Sequence, residues 1–463
     1  MKRLLLILFA ICFGQNIIAQ EFIVDGIKYN VTSSTEPLEV EVIYNNYYGS
    51  VVIPSSVSYN NNNYNVTSIA YMAFINNEYL MSITIPNSVL KIGWYAFSGC
   101  TGLNSVSLGN GVRDIEFGAF SRCEGLSIIT IPNSITKIGH GIFEDCIRLK
   151  TINLPNTITS IGDNTFINCD GLISFTVPQS VKSIGRYAFF RCDSLTTITI
   201  FDSVSSIGIN AFALCNSLTS INVDSGNTYY RSENGVLFDY DYKVLVSYPG
   251  GLSGEYIVPD GVDTIGNSAF YFRYNLKKVV LPNSLLYIDN SAFNHCDSLQ
   301  SIIIGDSLIG FGSEALRSCS GLTSITCNTI IPPSVSRFTF FNVNKSIPLY
   351  VPYESINLYQ TAEGWKDFTN IQSNLGLNNV SQTNISTKLY PNPSNGKAKL
   401  EIEGLDSEAD VLVYDLLGKV VLSCKINRGQ EELNINLSNF AKGVYTISIV
   451  NESVNLTKKL ILQ

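Results

Sequence analysis

The sequence predicts a solenoid of 23-residue coils, each a parallel β-strand plus a short helical or 3₁₀ turn, followed by a small all-β sandwich. Three observations predict it. Phe74, Phe97, Phe120, Phe143, Phe166, Phe189 and Phe212 recur at 23-residue steps, and Phe270, Phe293 and Leu316 continue them after one interruption. Alanine precedes the anchor in most copies, as at Ala73, Ala96, Ala119 and Ala188, and an Ile-Gly pair marks the same period at Ile92, Ile138, Ile161, Ile184, Ile207 and Ile265. From residue 387 onward the period is gone, and short apolar runs separated by turn residues replace it, the pattern of a β-sandwich.

At the start of the chain, Lys2 and Arg3 precede an apolar run, Leu4 to Phe13, and a small residue, Ala19, precedes Gln20. A basic n-region, a short apolar core and a small residue at the cut describe a secretory signal peptide over residues 1–19. A bilayer takes about 20 apolar residues, and no run reaches that length, so no transmembrane helix is expected. Lipidation at Cys12 would need a small residue before it, and Ile11 stands there.

Residues 20–79 are read as an N-terminal cap with the first coil, including a polar loop around Asn60 to Asn63. Residues 80–327 carry the repeats. In one copy Ile129 and Ile131 have the period-two spacing of a half-buried strand, and Pro132-Asn133-Ser134 ends it, because proline cannot donate to a ladder. Ile135 and Ile138-Gly139 give a second extended piece. Ile142-Phe143 with Cys146 suggest one helical or 3₁₀ turn returning the chain. A single coil cannot bury its own apolar face, so each needs its neighbours.

Residues 224–257 interrupt the count. Val236-Leu237-Phe238 and Val244-Leu245-Val246 flank Asp239-Tyr240-Asp241-Tyr242 and read as a β-hairpin protruding from the solenoid. Asp239 and Asp241 lack the further spaced carboxylates of a calcium loop, so an ordinary turn explains them.

The copies resemble the BspA-like class of leucine-rich repeats, whose units read approximately L-x-x-I-x-I-P-x-S-V-x-x-I-G-x-x-A-F-x-x-C, over about residues 22–372. Phe22-Ile-Val-Asp25-Gly26-Ile-Lys-Tyr29 is similar to that class's opening segment. Residues 328–372, with Pro332-Pro333, Leu349-Tyr350-Val351-Pro352, Tyr359 and Gly364-Trp365, are similar to its closing cap. The resemblance implies a leucine-rich-repeat solenoid on a surface protein. Members of the class are associated with adhesion to host or matrix proteins and to other bacteria.

Residues 373–386 are polar and aperiodic and read as a linker. In residues 387–463, Leu389-Tyr390-Pro391-Asn392-Pro393 opens a new pattern, and Val411 to Asp415 turns at Leu417-Gly418-Lys419 into Val420 to Leu422. This ending resembles the type A C-terminal sorting domain of the type IX secretion system. The matching residues are Tyr390, Pro391, Asn392 and Pro393, then Gly418 and Lys419, Gly443 and Tyr445, and Lys458 and Lys459. The resemblance implies the type IX secretion machinery as a partner. It also implies a protein that is secreted or held on the extracellular face of the outer membrane.

Composition excludes several function classes. The two histidines, His140 and His295, have no metal-ligand spacing. Residues 21–386 hold 19 Lys+Arg against 29 Asp+Glu, a net of −10, so no basic footprint for nucleic acid exists. Gly310-Phe311-Gly312 fails the dinucleotide pattern at its final glycine, and Gly250-Gly251-Leu252-Ser253-Gly254 lacks the lysine of a phosphate loop. No enzyme activity, catalytic residue, metal or cofactor is expected. Cys100, Cys123, Cys146, Cys169, Cys192, Cys215, Cys296 and Cys319 stand three residues after their anchors. Stacked equivalents keep Cβ atoms ~4.8 Å apart, against the ~3.8 Å a disulfide prefers, and metal ligands must converge on a point. Buried free thiols are therefore expected.

What remains is surface. Ser82/Thr84, Ser105/Ser107, Ile128/Thr130, Thr151/Asn153, Ser174/Thr176, Thr197/Thr199, Ser220/Asn222 and Ser324/Thr326 would form an uncharged face. Threonine suits exposed strands in any case, and solenoids also bind through such faces. Lys277-Lys278-Val279-Val280 and Ile303 break the stripe near Phe272 and Tyr274. Candidate contact residues are therefore Lys278, Val280, Ile303, Phe272 and Tyr274, with Tyr240 on the hairpin. The expected function is adhesin-like binding of an unknown protein on a host, matrix or bacterial surface. A glycan-binding surface protein is the alternative, suggested by Tyr229-Tyr230 and Tyr240-Asp241-Tyr242. Ice binding by threonine rows is a third reading, for which Ile128 and the Ser/Asn positions make the face too irregular.

Overall fold

A computed structural model describes residues 20–374, 386–405, 407–415, 419–450 and 455–463. The signal-peptide segment and Gly418 lie outside the described residues. The chain divides into two compact units. One runs to Leu349 and includes Asn357–Asn370, and the other comprises Tyr350–Ile356 and the residues from Ile371 onward.

The first unit is the solenoid. Its first strands stack in parallel with Phe175, Ile198 and Ile221 in one row and Ser174, Thr197 and Ser220 in the next. Second strands of two residues stack likewise, Ile161 on Ile184 on Ile207. Each partner lies 23 residues further on, so every side chain sits on its own equivalent. The anchors from Phe74 to Phe212 are buried, and successive rings stack with centroids 4.7–6.0 Å apart and planes within 23°.

The return segment departs from the expected helical turn. In the coil of Phe97, the N–H groups of Ala96, Ser98 and Cys100 turn back to Gly93, Tyr95 and Phe97. Those of Tyr95, Phe97 and Gly99 instead cross to Phe117, Ala119 and Ser121 of the next coil. A helix would spend every donor within its own coil. The alternation makes a further ladder between coils, and it requires two left-handed residues per coil. Tyr95 (φ 55°) and Gly99 (φ 73°) fill these places in one coil, Arg122 (φ 57°) and Leu214 (φ 57°) in others. A left-handed non-glycine residue costs roughly 1–2 kcal/mol, and the inter-coil bonds offset that cost.

Two irregular segments also differ from expectation. Around Asn60 the chain makes a tight hairpin. Left-handed Asn60 and Asn61 join Ser56–Tyr59 to Asn62–Ile69, as a two-residue primed turn demands. Asn62–Ile69 then pairs in parallel with Glu39–Val42, which begins the stack. In the second segment, Val236–Asp239 and Val244–Ser247 pair antiparallel, with Tyr230–Glu233 as a third strand. This unit is seated in the stack rather than projecting from it. Val244–Ser247 pairs in parallel with Thr264–Ile265, and Tyr248 takes an anchor's place with its ring 4.8 Å from Phe270. Val236, Leu237, Phe238 and Leu245 are buried there, and a projecting hairpin would have left them in water.

Near the end of this unit Trp365 is buried, its Nε1 donating to the Pro333 carbonyl at 2.8 Å. Tyr359, Phe340 and Phe311 meet its ring edge-on. Ser373 still belongs to the strand Ile371–Ser373, and Asn374 donates to the Val351 carbonyl. Linker residues 375–385 lie outside the described residues. The second unit holds two antiparallel sheets of three and four strands around Leu400, Ile402, Val411, Val413, Ile435, Ile447, Ile449 and Leu460. This is a small all-β domain.

The grid cysteines are buried and free. Each thiol donates to the carbonyl of the anchor one coil earlier, from Cys100 to Phe74 through Cys319 to Phe293, at 2.9–3.2 Å. Burial pushes the Cys100 thiol up from 9.0 to about 12, and raises Cys123, Cys146 and Cys169 well above the ordinary value.

Two outcomes follow from this packing. Phe166→Ala should cost about 3–5 kcal/mol in denaturant unfolding, because the cavity lies between coils that cannot collapse freely. A loss under about 1 kcal/mol would place that ring outside the stack. The thiols predict a pH dependence. A raised folded pKa favours the neutral form, so its contribution is complete below the unfolded value of 9.0 and is lost as pH climbs toward about 12. Stability should fall across that window, and Cys100→Ala should flatten the slope by about 1.4 kcal/mol per pH unit. Chemical unfolding at pH 8, 9, 10 and 11 measures it, and an unchanged slope would contradict the ladder.

Candidate binding surface

The outward face of the later first strands carries two rows. Glu255, Lys278, Ser301 and Ser324 form one, and Ile257, Val280, Ile303 and Thr326 the other. In the first row Lys278 Nζ lies 3.1 Å from the Glu255 carboxylate, so the expected basic character is largely neutralised. In the second row Val280 and Ile303 are half-buried while Ile257 is 70% exposed. The sequence reading passed over Ile257, yet it stands one period before Val280, and that spacing was the available signal. Upstream, the same face is polar and bound to itself, as where Asn153 Nδ2 donates to Thr130 Oγ1 at 3.1 Å. Ile128 interrupts it, 51% exposed.

Phe272 and Tyr274 belong to a different edge. Both lie on the return segment that precedes the strand Leu276–Val280. Phe272 is left-handed (φ 57°) and stacks face to face on His295 at 4.6 Å, with Tyr274 tilted 5.7 Å away. Tyr240 sits beside Tyr229, to whose carbonyl its N–H donates at 2.9 Å, and both rings are about half exposed. Tyr230 and Tyr242 are occupied: one hydroxyl accepts the Ile207 N–H, and the other donates to Glu233 while Arg231 lies over its ring. The candidate residues thus fall into three groups, and among the described residues no hydrogen bond or ring contact joins one group to another. Neighbours in sequence were separated because strand and return segment lie on different sides of a coil.

Among the described residues no cluster of three His, Cys, Asp or Glu side chains could hold a metal. His140 lies 3.6 Å from the exposed Asp163 carboxylate, and His295 is spent against Phe272. The available chemistry is recognition by shape, apolar area and hydrogen bonding.

In the second unit, the Tyr390-Pro391-Asn392-Pro393 motif lies along the final strand. Asn392 Nδ2 donates to the Lys459 carbonyl at 2.6 Å, and its Oδ1 accepts the Ile461 N–H at 2.9 Å. Flanked by prolines, Asn392 uses its side-chain amide for ladder bonds. Tyr390 donates to Glu401, and buried Tyr445 donates to the Ala441 carbonyl at 2.6 Å. Lys419 N–H donates to Asp415 Oδ1 at 3.0 Å. Gly443 opens the strand Gly443–Val450, and Lys458 and Lys459 face Ile447 and Thr446 across the neighbouring ladder.

Two family models match the chain. The BspA type leucine rich repeat region matches residues 67–196, 113–234 and 254–362, and the secretion system C-terminal sorting domain matches residues 388–463. Neither is an enzymatic domain. No curated protein matches the chain. Among solved structures, a leucine rich cell surface protein from Faecalibacterium prausnitzii is 23% identical with a TM-score of 0.53, covering 76% of this chain and 94% of that one. The pneumococcal vaccine antigen PcpA is 22% identical with a TM-score of 0.50, covering 77% and 97%. At these identities the likeness is one of fold. No helix among the described residues is long and apolar enough to cross a membrane, and the sorting domain directs type IX secretion to the cell surface. The chain belongs to the BspA-type leucine-rich repeat family, as a cell-surface protein that carries a type IX secretion sorting domain.

Proposed function

We propose that the protein is an adhesin-like surface protein that binds another protein through the outward strand face of its later coils. The observation that carries this reading is the row Ile257, Val280 and Ile303, apolar side chains in register on three adjacent strands with Ile257 standing 70% exposed. Apolar groups in contiguous rows, rimmed by polar ones, mark interaction sites. The bound Lys278–Glu255 pair beside the row would fix orientation more than affinity. The ligand class is a protein of a host, matrix or bacterial surface, bound outside the cell after a leader at residues 1–19 has taken the chain across the inner membrane.

A second reading is glycan binding, favoured by the adjacent exposed rings of Tyr229 and Tyr240. The two readings separate cleanly. Capture of ligand from matrix and whole-cell extracts by the full-length chain should drop at least about tenfold, or 1.4 kcal/mol, in an Ile257→Lys/Ile303→Lys variant. Tyr240→Ala should leave capture intact. Sugar-specific binding on a glycan array that Tyr240→Ala abolishes would reverse the choice.

Export is tested separately. Deleting residues 387–463 should leave the solenoid folded but keep it in the periplasm. Protease shaving of intact cells, with immunodetection of both forms, reads the outcome. Surface exposure of the truncated form would remove the sorting role from that segment.

A further inference from the structure

The coil that carries Tyr248 is short. Ile207 stands five positions before its anchor Phe212, whereas Leu245, the equivalent of that isoleucine, stands three before Tyr248. The absent residues are the ones that would accept hydrogen bonds. In the coil before, Tyr187, Phe189 and Arg191 N–H groups donate to Ile209, Ala211 and Ala213. Among the described residues, the N–H groups of Asn210, Phe212 and Leu214 find no such backbone acceptor. The gap is a cavity of about 220 Å³ whose lining includes Asn210, Phe212, Ser247, Ser268, Arg273 and Asp289. That is room for about seven waters or one small organic molecule.

The polar groups around this cavity are unbalanced. Arg273 stands three residues after Phe270, the place held by cysteine in eight other coils. Its Nε donates to the Tyr248 carbonyl at 2.6 Å, the bond a thiol makes elsewhere, and its Nη1 donates to Tyr271 at 3.0 Å. A thiol makes that bond without a charge. Arg273 is 1% exposed, and no carboxylate among the described residues lies within ion-pair distance of its guanidinium. Burial lowers its pKa to about 10, which leaves it positive at neutral pH. Buried charges are ordinarily paired. Asn210 Oδ1 is also buried with no partner. Asp289, an exposed carboxylate, stands where the cavity meets solvent.

We propose that this cavity binds a small α-amino acid as its zwitterion. The carboxylate meets the Arg273 guanidinium and the N–H groups of Asn210 and Phe212, and the ammonium meets Asp289 and Asn210 Oδ1. Neighbouring N–H groups in alternating left- and right-handed backbone form a concavity suited to an anion, and a guanidinium presents a planar fork to a carboxylate. Asp289 disfavours a phosphate dianion and rewards a ligand with a cationic end. The volume admits glycine, alanine or serine. This site is independent of the strand face.

Thermal unfolding and titration calorimetry of the full-length chain test it, with L-alanine, sodium acetate and methylammonium chloride compared at constant ionic strength. L-alanine should raise the Tm with the logarithm of its concentration, acetate should act more weakly, and methylammonium should do nothing. Asp289→Asn changes an exposed residue and should cut the preference for alanine over acetate about tenfold, the loss of one charge-assisted contact. Arg273→Gln should abolish both responses. Should Arg273→Gln unfold the chain, Asn210→Gly, which keeps the left-handed backbone, should still weaken alanine binding. No response to alanine, an equal response to methylammonium, or an unchanged preference in Asp289→Asn would each overturn the proposal.

Discussion

Along most of the solenoid, alternate N–H groups of the return segment must be answered by acceptors 22 residues later, as Tyr95 is by Phe117, and those of the Ile-Gly strand by acceptors 24 residues earlier, as Gly93 is by Ile69. The rest of the solenoid depends on that requirement. It places like on like, so one inward phenylalanine becomes a stack of rings and one cysteine becomes a ladder of thiols capping anchor carbonyls. It also sets how closely coils approach. A Cβ on Gly185 or Gly208 would fall 2.5 or 2.4 Å from backbone nitrogen of the preceding coil. The Ile-Gly pair is therefore a spacing device, in which isoleucine fills the interior and glycine lets the next turn close down.

Repetition made the core legible. Phe74 to Phe212, the alanines before them and the cysteines after them announced their roles by position alone, because a residue that recurs at the coil period must occupy the same environment each time. The C-terminal domain was legible for a different reason: Tyr390 to Pro393 and Lys458-Lys459 are local features, and the structure joins them through Asn392.

The return segment was not legible. Left-handed backbone normally advertises itself through glycine or asparagine, but here Tyr95, Arg122, Leu214 and Phe272 adopt it. The conformation is imposed by bonding to the next coil, so Gly99, Asn164 and Asn168 mark it in some coils while in others local sequence does not. The insertion misled in a related way. Its surplus length is spent on an added pair of strands, and that surplus conceals a deficit between Leu245 and Tyr248. Arg273 could have been found, since it interrupts the cysteine grid. The surface patch was only partly readable: strand rows follow from the period, as Ile257, Val280 and Ile303 do, whereas Phe272 and Tyr274 lie on another edge although only a few residues precede Val280.

The thiol ladder has a consequence for biogenesis. A chain routed to the cell surface passes through an oxidising compartment, where exposed cysteines are crosslinked. Eight thiols, most of them 23 residues apart, would offer many wrong pairings in an unfolded chain. Their protection is burial, since a neutral, enclosed thiol is a poor nucleophile. Folding must therefore outrun oxidation. Coils that contact only their neighbours suit that race, because contacts close in sequence form quickly and each added coil seals the cysteine of the one before it.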